Sequence, residues 1–351
     1  MEQTSFRPFT FGRRLTRAFI LGICALLVIG VSACSGTSGG TSPNKLTVGA
    51  FPLFVSMPVW VAQDQGIFAQ HGLDVEVKTI LAGPTMISAL NSQSIDAMLN
   101  GATIAVTASA TGQPIKMITP TIPKSIYNLI ASKEVMDSCP YVNEPYPKPI
   151  LCAKGKRIGV VALGTESHIG GITVLEEAGL KESDVSWVPA SAGEMIGSSM
   201  QAGQIDLFFG EDTAATYATE VIKVGSPLVD LKHDGPFVDW FGNGVWALEP
   251  QLQRSPDKYQ KFTDAISDAI TWINDPANST EARAIFKKNS PNTSDATVDA
   301  VIASSHDYFG TTATCSSIET ITTWLTKTNQ LAAGKGPATC HDISWQTVSF
   351  S

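Results

Sequence analysis

The feature that most restricts how this chain can fold is a duplicated order of elements. A β-branched run, Leu46 to Val48, leads through a loop into an amphipathic stretch from Pro58 to Gln70, with Val59, Ala62, Ile67 and Phe68 on one face and a stop at Gly72-Leu73. An alternating strand follows from Asp74 to Ile80, and Gly83-Pro84-Thr85 opens a helix leading to Gln93-Ser94-Ile95-Asp96-Ala97-Met98-Leu99. The same order then returns. Arg157 to Val161 reads as a strand, Thr165 to Glu177 as a helix stopped at Gly179-Leu180, Val185 to Val188 as a strand and Glu194 to Gln201 as a helix. That helix runs into Gln204-Ile205-Asp206-Leu207-Phe208-Phe209, which makes Asp96 and Asp206 the same element in two copies.

Strands joined by helix-length crossovers build parallel α/β sheets, and two such units build two Rossmann-like lobes with a ligand cleft between them. Residues 45–127 form the first part of lobe one, 128–245 lobe two, and 246–351 return to lobe one with C-terminal helices over Pro256 to Asn274, Glu281 to Asn289, Asp295 to Ser304 and Ser317 to Leu331. The short apolar strands Asn128 to Ser132 and Gly244 to Leu248 suit hinge crossings between lobes.

Residues 1–33 read as an export signal. Arg13, Arg14 and Arg17 precede an apolar run from Ala18 to Val31, shorter than the roughly 20 residues that span a bilayer. The run ends in Val31-Ser32-Ala33-Cys34, which resembles the lipobox of bacterial lipoproteins, so Cys34 is the expected lipidation site. The Ser/Gly/Thr tract that follows makes 34–44 a flexible tether. Loss of residues 1–33 removes four basic and one acidic residue from totals of 24 and 32, leaving 20 against 31. With that surface and no Lys/Arg block longer than a pair, nucleic acid is excluded as a partner, and membrane attachment falls to the acyl chains. The location expected is outside the cytoplasm, on the membrane.

Four cysteines remain in the exported chain: Cys139, Cys152, Cys315 and Cys340. An even set in an oxidising compartment reads as two disulfides, for which three pairings are open. The local pairs, Cys139 with Cys152 and Cys315 with Cys340, are favoured because each closes a short Pro-, Gly- or Thr-rich segment with little core of its own. No Cys-x-x-Cys and no His pair at ligand spacing points to a metal.

Several stretches together resemble one family. They are Pro58-Val59-Trp60-Val61-Ala62 with Gly66-Ile67-Phe68 and Gly72-Leu73-Asp74-Val75, then Gly83, Ile95-Asp96, Ala110-Thr111-Gly112-Gln113-Pro114-Ile115-Lys116, and Lys154-Gly155-Lys156-Arg157-Ile158-Gly159-Val160. From Leu46 to Asn289 the chain is similar to the extracytoplasmic solute-binding proteins of ABC importers for nitrate, sulfonates, taurine and thiamine precursors. The resemblance implies a type II periplasmic-binding fold, a monomer, a small-molecule solute closed between the lobes, and delivery to an ABC permease and its ATPase. It implies no cofactor. The chain departs from the family pattern in an insertion from Asp137 to Lys154 and in Gly210-Glu211-Asp212, which replaces a frequent Trp-Glu-Pro.

No Gly-x-Ser-x-Gly elbow, His-Glu-x-x-His, P-loop or dinucleotide fingerprint is present, so a binding module rather than an enzyme is expected. A hydrolase drawn from Ser56, His168 and Glu211 has no support from spacing. Strand-end loops supply the candidate ligand contacts: Phe54, Ser56 and Trp60 from the first, with Trp60 readable either as a flat wall for a ring or as core. Gly83, Pro84 and Thr85 open the second helix; Asn100, Gly101 and Thr103 follow the strand ending at Leu99; Asn243 precedes the second crossing. In lobe two the matching loop brings Thr165, equally readable as an N-cap, with Glu166 and His168. Glu211 and Asp212 either point to solvent or accept from a ligand amine. Carboxylates in the cleft disfavour nitrate or a simple sulfonate and favour an aminosulfonate such as taurine or a thiamine-type aminopyrimidine.

Overall fold

The computed structural model describes residues 44–304, 308–332, 334–337 and 339–350. The signal segment and Cys34 lie outside the described residues. The first lobe is built from β1 (Lys45–Ala50), α1 (Met57–Asp64), α2 (Ile67–Gln70), β2 (Asp74–Thr79), α3 (Gly83–Asn91), β3 (Ala97–Gly101), α4 (Ala102–Ala110) and β4 (Ile115–Ile122). The second holds β5 (Tyr127–Ser132), α5 (Lys133–Ser138), β6 (Arg157–Val160), α6 (Glu166–Glu177), β7 (Ser186–Pro189), α7 (Glu194–Gln201), β8 (Leu207–Glu211), α8 (Asp212–Thr216) and β9 (Gly225–Val229). The chain then forms β10 (Asn243–Leu248), α9 (Glu249–Arg254), α10 (Pro256–Asn274), α11 (Ser279–Asn289), α12 (Asp295–Ala303) and α13 (Cys315–Lys327). The expected helix over 58–70 is two helices, because Gly66 adopts φ +68° and turns the chain between them.

Two five-stranded sheets result, ordered β2-β1-β3-β10-β4 and β7-β6-β8-β5-β9. In each, four strands run the same way and one inner strand runs against them: β10 between β3 and β4, and β5 between β8 and β9. The sheets are therefore mixed, and the two segments read as hinge crossings are inner strands of the sheets. The connections that cross between sheets are the shorter 123–126 and the longer 230–242. Since β10 pairs with β3 and β4 from Asn243 onward, the return to the first lobe begins ahead of residue 246.

The duplication is visible bond by bond. Asp96 N–H donates to Thr47 O at 2.7 Å while Thr47 N–H donates to Asp96 Oδ2 at 2.8 Å. In the second lobe Asp206 and Arg157 exchange the same two bonds at 2.8 Å each. The Arg157 guanidinium adds a fork onto Asp206, and that hydrogen-bonded cation holds the carboxyl below its usual range. Close to both pairs the sheet needs a glycine. A Cβ on Gly49 would sit 2.9 Å from Ile95 Cδ1, and one on Gly159 would sit 2.5 Å from Ile205 Cδ1.

The core of the first lobe lies between its sheet and α1, α10 and α11. On α10, Tyr259, Phe262, Ile266, Ala269, Ile270 and Ile273 recur at helical spacing and are buried, each large apolar side chain contributing about 1.5–3 kcal/mol. The C-terminal helices do not all stay on the first lobe. Whereas α12 packs against α8 of the second, α13 lies on α4 and sends Trp324 across to α6, where its Nε1 donates to Thr173 Oγ1 at 2.8 Å. The tail covers the exposed edge of β4, with Met117 N–H donating to Ile343 O and Trp345 N–H to Met117 O. Both expected disulfides are present, Cys139–Cys152 and Cys315–Cys340, with Cα separations of 5.6 and 5.1 Å. No helix among the described residues is long and apolar enough to cross a membrane.

Candidate functional site

At the carboxyl ends of the parallel strands the lobes face each other across a cavity of about 280 Å3. Its walls come from each strand-end loop: Phe51 and Leu53 after β1, Gly83 and Pro84 after β2, Asn100 and Gly101 at the end of β3, Thr165 and Glu166 after β6, Ala192 after β7, and Glu211 at the end of β8. Tyr127 and Asn243, the first residues of the two antiparallel strands, complete it. Parallel βα units leave their loops and helix N-termini at this end, which is why so many separate segments converge.

Eight of the residues singled out from sequence line this cleft: Gly83, Pro84, Asn100, Gly101, Thr165, Glu166, Glu211 and Asn243. Thr103 stands behind them and donates to Glu166 Oε2 at 2.6 Å, a bond from α4 of the first lobe to α6 of the second. The remaining six lie elsewhere. Phe54, Ser56 and Trp60 are buried in the first lobe, where Phe54 packs 5.3 Å from Phe286 and Trp60 stacks on the same ring; α1 is sandwiched between sheet and helices, so its tryptophan is core. Thr85 is exposed on α3 outside the cleft wall. The His168 ring turns to an outer groove beside Glu176 and Glu182, its Nδ1 accepting from Gly164 N–H and its edge against Trp187, and burial lowers its pKa. Asp212 faces a different groove, held by Lys232 Nζ at 2.7 Å and Asn128 Nδ2 at 2.8 Å. The insertion over 137–154 contributes nothing to the cleft wall.

Tyr127 is the main omission of the sequence reading. Its ring stacks on Phe209 at 5.2 Å and its phenol hydrogen-bonds to Glu166. The duplication held a signal for it, because Tyr127 opens β5 as Asn243 opens β10.

The electrostatics are set by two carboxyl groups. Burial pushes Glu166 up to about 7, against which the Thr103 and Tyr127 hydrogen bonds pull only partly. Burial also raises Glu211, although this side chain caps α8 by accepting from Thr213 N–H at 2.6 Å and Ala214 N–H at 3.1 Å, and from Gly193 N–H at 3.2 Å. Asn243 is 4% exposed, and its Oδ1 has no partner. Among the described residues no Lys, Arg or His lines the cleft. The site thus offers acceptors and an apolar flank to a solute, with no cationic side chain for an anion.

A family profile described as "NMT1/THI5 like" matches residues 54–279. The chain belongs to that family. No curated protein sequence matches this NMT1/THI5-like chain, but solved structures share its fold. The periplasmic aliphatic sulphonate binding protein SsuA from Escherichia coli is 20% identical, with a TM-score of 0.69 over 87% of this chain and 98% of that one. The periplasmic nitrate-binding protein NrtA from Synechocystis PCC 6803 is 14% identical, with a TM-score of 0.57 over 72% and 68%. A DSZB mutant in complex with biphenyl-2-sulfinic acid is 17% identical, with a TM-score of 0.58 over 86% and 97%. The NMT1/THI5-like chain therefore has the periplasmic-binding-protein fold.

Proposed function

We propose that this protein is the extracytoplasmic solute-binding component of an ABC importer, exported by residues 1–33, tethered through a lipidated Cys34, and handing a small organic solute to a permease and its ATPase. The fold shared with sulphonate- and nitrate-binding proteins supports the class. The observation that carries the solute chemistry is the cleft with two buried carboxyl groups and no cationic side chain. A nitrate or simple sulfonate placed there finds no cation, and it makes ionising either carboxyl group in that low dielectric costlier still. An aminopyrimidine of the thiamine type fits better, its amino group donating to Glu166 or Glu211 while the ring lies against Tyr127 and Leu53. It also fits better than taurine, whose sulfonate would meet neutral donors but no cationic side chain.

Side-chain hydrogen bonds join the lobes at two places, from Thr103 to Glu166 beside the cleft and from Ser294 to Glu194, the latter with both N–H and Oγ of Ser294 donating at 2.8 and 2.7 Å. Solute entering between the lobes exchanges the first of these for its own donor, and closure then buries it. Transformation of the solute through a cysteine or serine nucleophile has no support. The described cysteines are tied in disulfides, and Ser167 Oγ is occupied by Val161 N–H and the Thr165 hydroxyl.

A thermal-shift panel of nitrate, methanesulfonate, taurine and 4-aminopyrimidines tests the assignment, since a ligand at 100 times its Kd stabilises by about 2.7 kcal/mol. Stabilisation by nitrate or methanesulfonate with none from the pyrimidines overturns it, as does turnover product in mass spectra of the incubated mixtures. Cys34→Ala should release the protein from membranes; retention at the parental level removes the lipid anchor from the proposal.

A further inference from the structure

We infer that the solute cavity has a second chamber, which takes an apolar substituent on the same solute. This rests on the reading above, in which the cleft holds the polar head of a small organic molecule. Beside the cleft, between α4 and α6, lies a further cavity of about 380 Å3. Ile87, Ile104, Ile169, Trp324 and Leu325 are among the residues that line it. It shares Pro84, Ile104 and Glu166 with the cleft, so the two spaces meet at one wall. At that wall stands the Thr103–Glu166 hydrogen bond.

Among the described residues lining the chamber, Glu166 is the one ionisable group, and it belongs to the boundary with the cleft. The Thr107 hydroxyl is turned back onto Thr103 O at 2.7 Å, so that residue presents its methyl group. The amides of Gln113 and Gln330 are engaged by Asn91 and by Thr328 O, so the surface has little to offer a second polar solute. Hydrocarbon carried by a molecule whose head sits in the cleft, and which displaces the Thr103–Glu166 bond, is the occupant that its chemistry and its position next to the cleft select. The outer wall comes from α13, beyond the segment that matches the family. That wall is well anchored: Trp324 and Leu325 are 5% and 4% exposed, Trp324 is hydrogen-bonded to Thr173, and the Cys315–Cys340 disulfide holds the start of the helix. The C-terminal region thereby extends the range of solutes the cleft accepts.

The test uses 4-aminopyrimidine and its 2-alkyl and 5-alkyl derivatives from methyl to hexyl, with affinity measured by calorimetry. In one of the two series, each methylene that enters the chamber should tighten binding by about fourfold. Thr107→Trp, which fills the chamber, should abolish that gain and leave the affinity of 4-aminopyrimidine unchanged. Gln330→Trp, at an exposed position on the chamber's rim, should reduce the gain for the longest chains without threatening the fold. If 4-aminopyrimidine binds but neither series gains with length, or both variants keep the full gain, the chamber is not a subsite while the head-group reading stands. If no member of either series binds, the head-group reading fails and the chamber proposal falls with it.

Discussion

Replacing Glu166 by Gln isolates the cost of keeping a carboxyl group at the junction of the lobes. In the folded protein the group titrates at about 7 against an ordinary value of 4.5. Between those values the unfolded chain has released the proton and the folded chain retains it, so stability falls as pH rises. Below pH 4.5 the group is protonated in both states and exerts no pH-dependent penalty; above 7 the penalty is complete. At 1.36 kcal/mol per unit the full shift corresponds to roughly 3.4 kcal/mol, and water reaching the side chain through the cavity lowers this to about 2–3 kcal/mol. Glutamine keeps an acceptor for the Thr103 hydroxyl and cannot ionise. The stability difference between E166Q and the parent should therefore grow by about 2–3 kcal/mol in favour of the variant from pH 4.5 to 7.5, or about 5 °C in Tm for a chain of this size. Urea melts at pH 4.5, 6 and 7.5 measure it, with equal m-values confirming the same unfolding reaction. Glu211 is also raised by burial, but it is present in both proteins and cancels in the difference. Parallel pH profiles for the two proteins would refute the reasoning, because Glu166 would then be titrating as a solvated carboxylate.

Three further outcomes follow from the geometry. Glu211→Ala should weaken an amine-bearing solute by about ten- to hundredfold and Asp212→Ala should barely affect it, because Asp212 is held by Lys232 and Asn128 in another groove; calorimetry giving the reverse order would move the site. Solute should compact the protein in small-angle scattering, and Trp324→Ala should cost about 3–5 kcal/mol in denaturant and expand the unliganded protein, since Trp324 ties α13 to α6; an unchanged radius in the variant would show that α13 does not hold the lobes together. Gly159→Ala should destabilise by about 1–3 kcal/mol and Ile205→Val, which removes the obstructing Cδ1, should recover part of it; additive losses in the double variant would exclude that contact as the cause.

Much of this architecture was legible because strand and helix periodicities are local and here occur twice. The Gln-Ile-Asp element before β8 repeats the Ser-Ile-Asp element before β3, and the bonds of Asp96 and Asp206 to the neighbouring strand follow from that repetition. α10 begins and ends where its apolar spacing does. Loops at the carboxyl ends of strands were identifiable as cleft walls for the same reason, and Asn100, Glu166, Glu211 and Asn243 lie in them.

Direction and company were not legible. Trp60 has the same helical spacing whether its helix faces a solute or is covered by α11, and the covering segment lies more than 200 residues away. Glu211 and Asp212 are adjacent, yet a strand end turns one into the cleft and the helix start turns the other toward Lys232. The raised pKa of Glu166 needs burial by both lobes, and its partners Thr103 and Tyr127 belong to elements that no local pattern brings together. Sequence by itself determined the repeated α/β units and the edge at which their loops converge, since both arise from short-range periodicity and chain order. Only the tertiary structure decided which side chains meet there, because contact and burial depend on how distant segments pack.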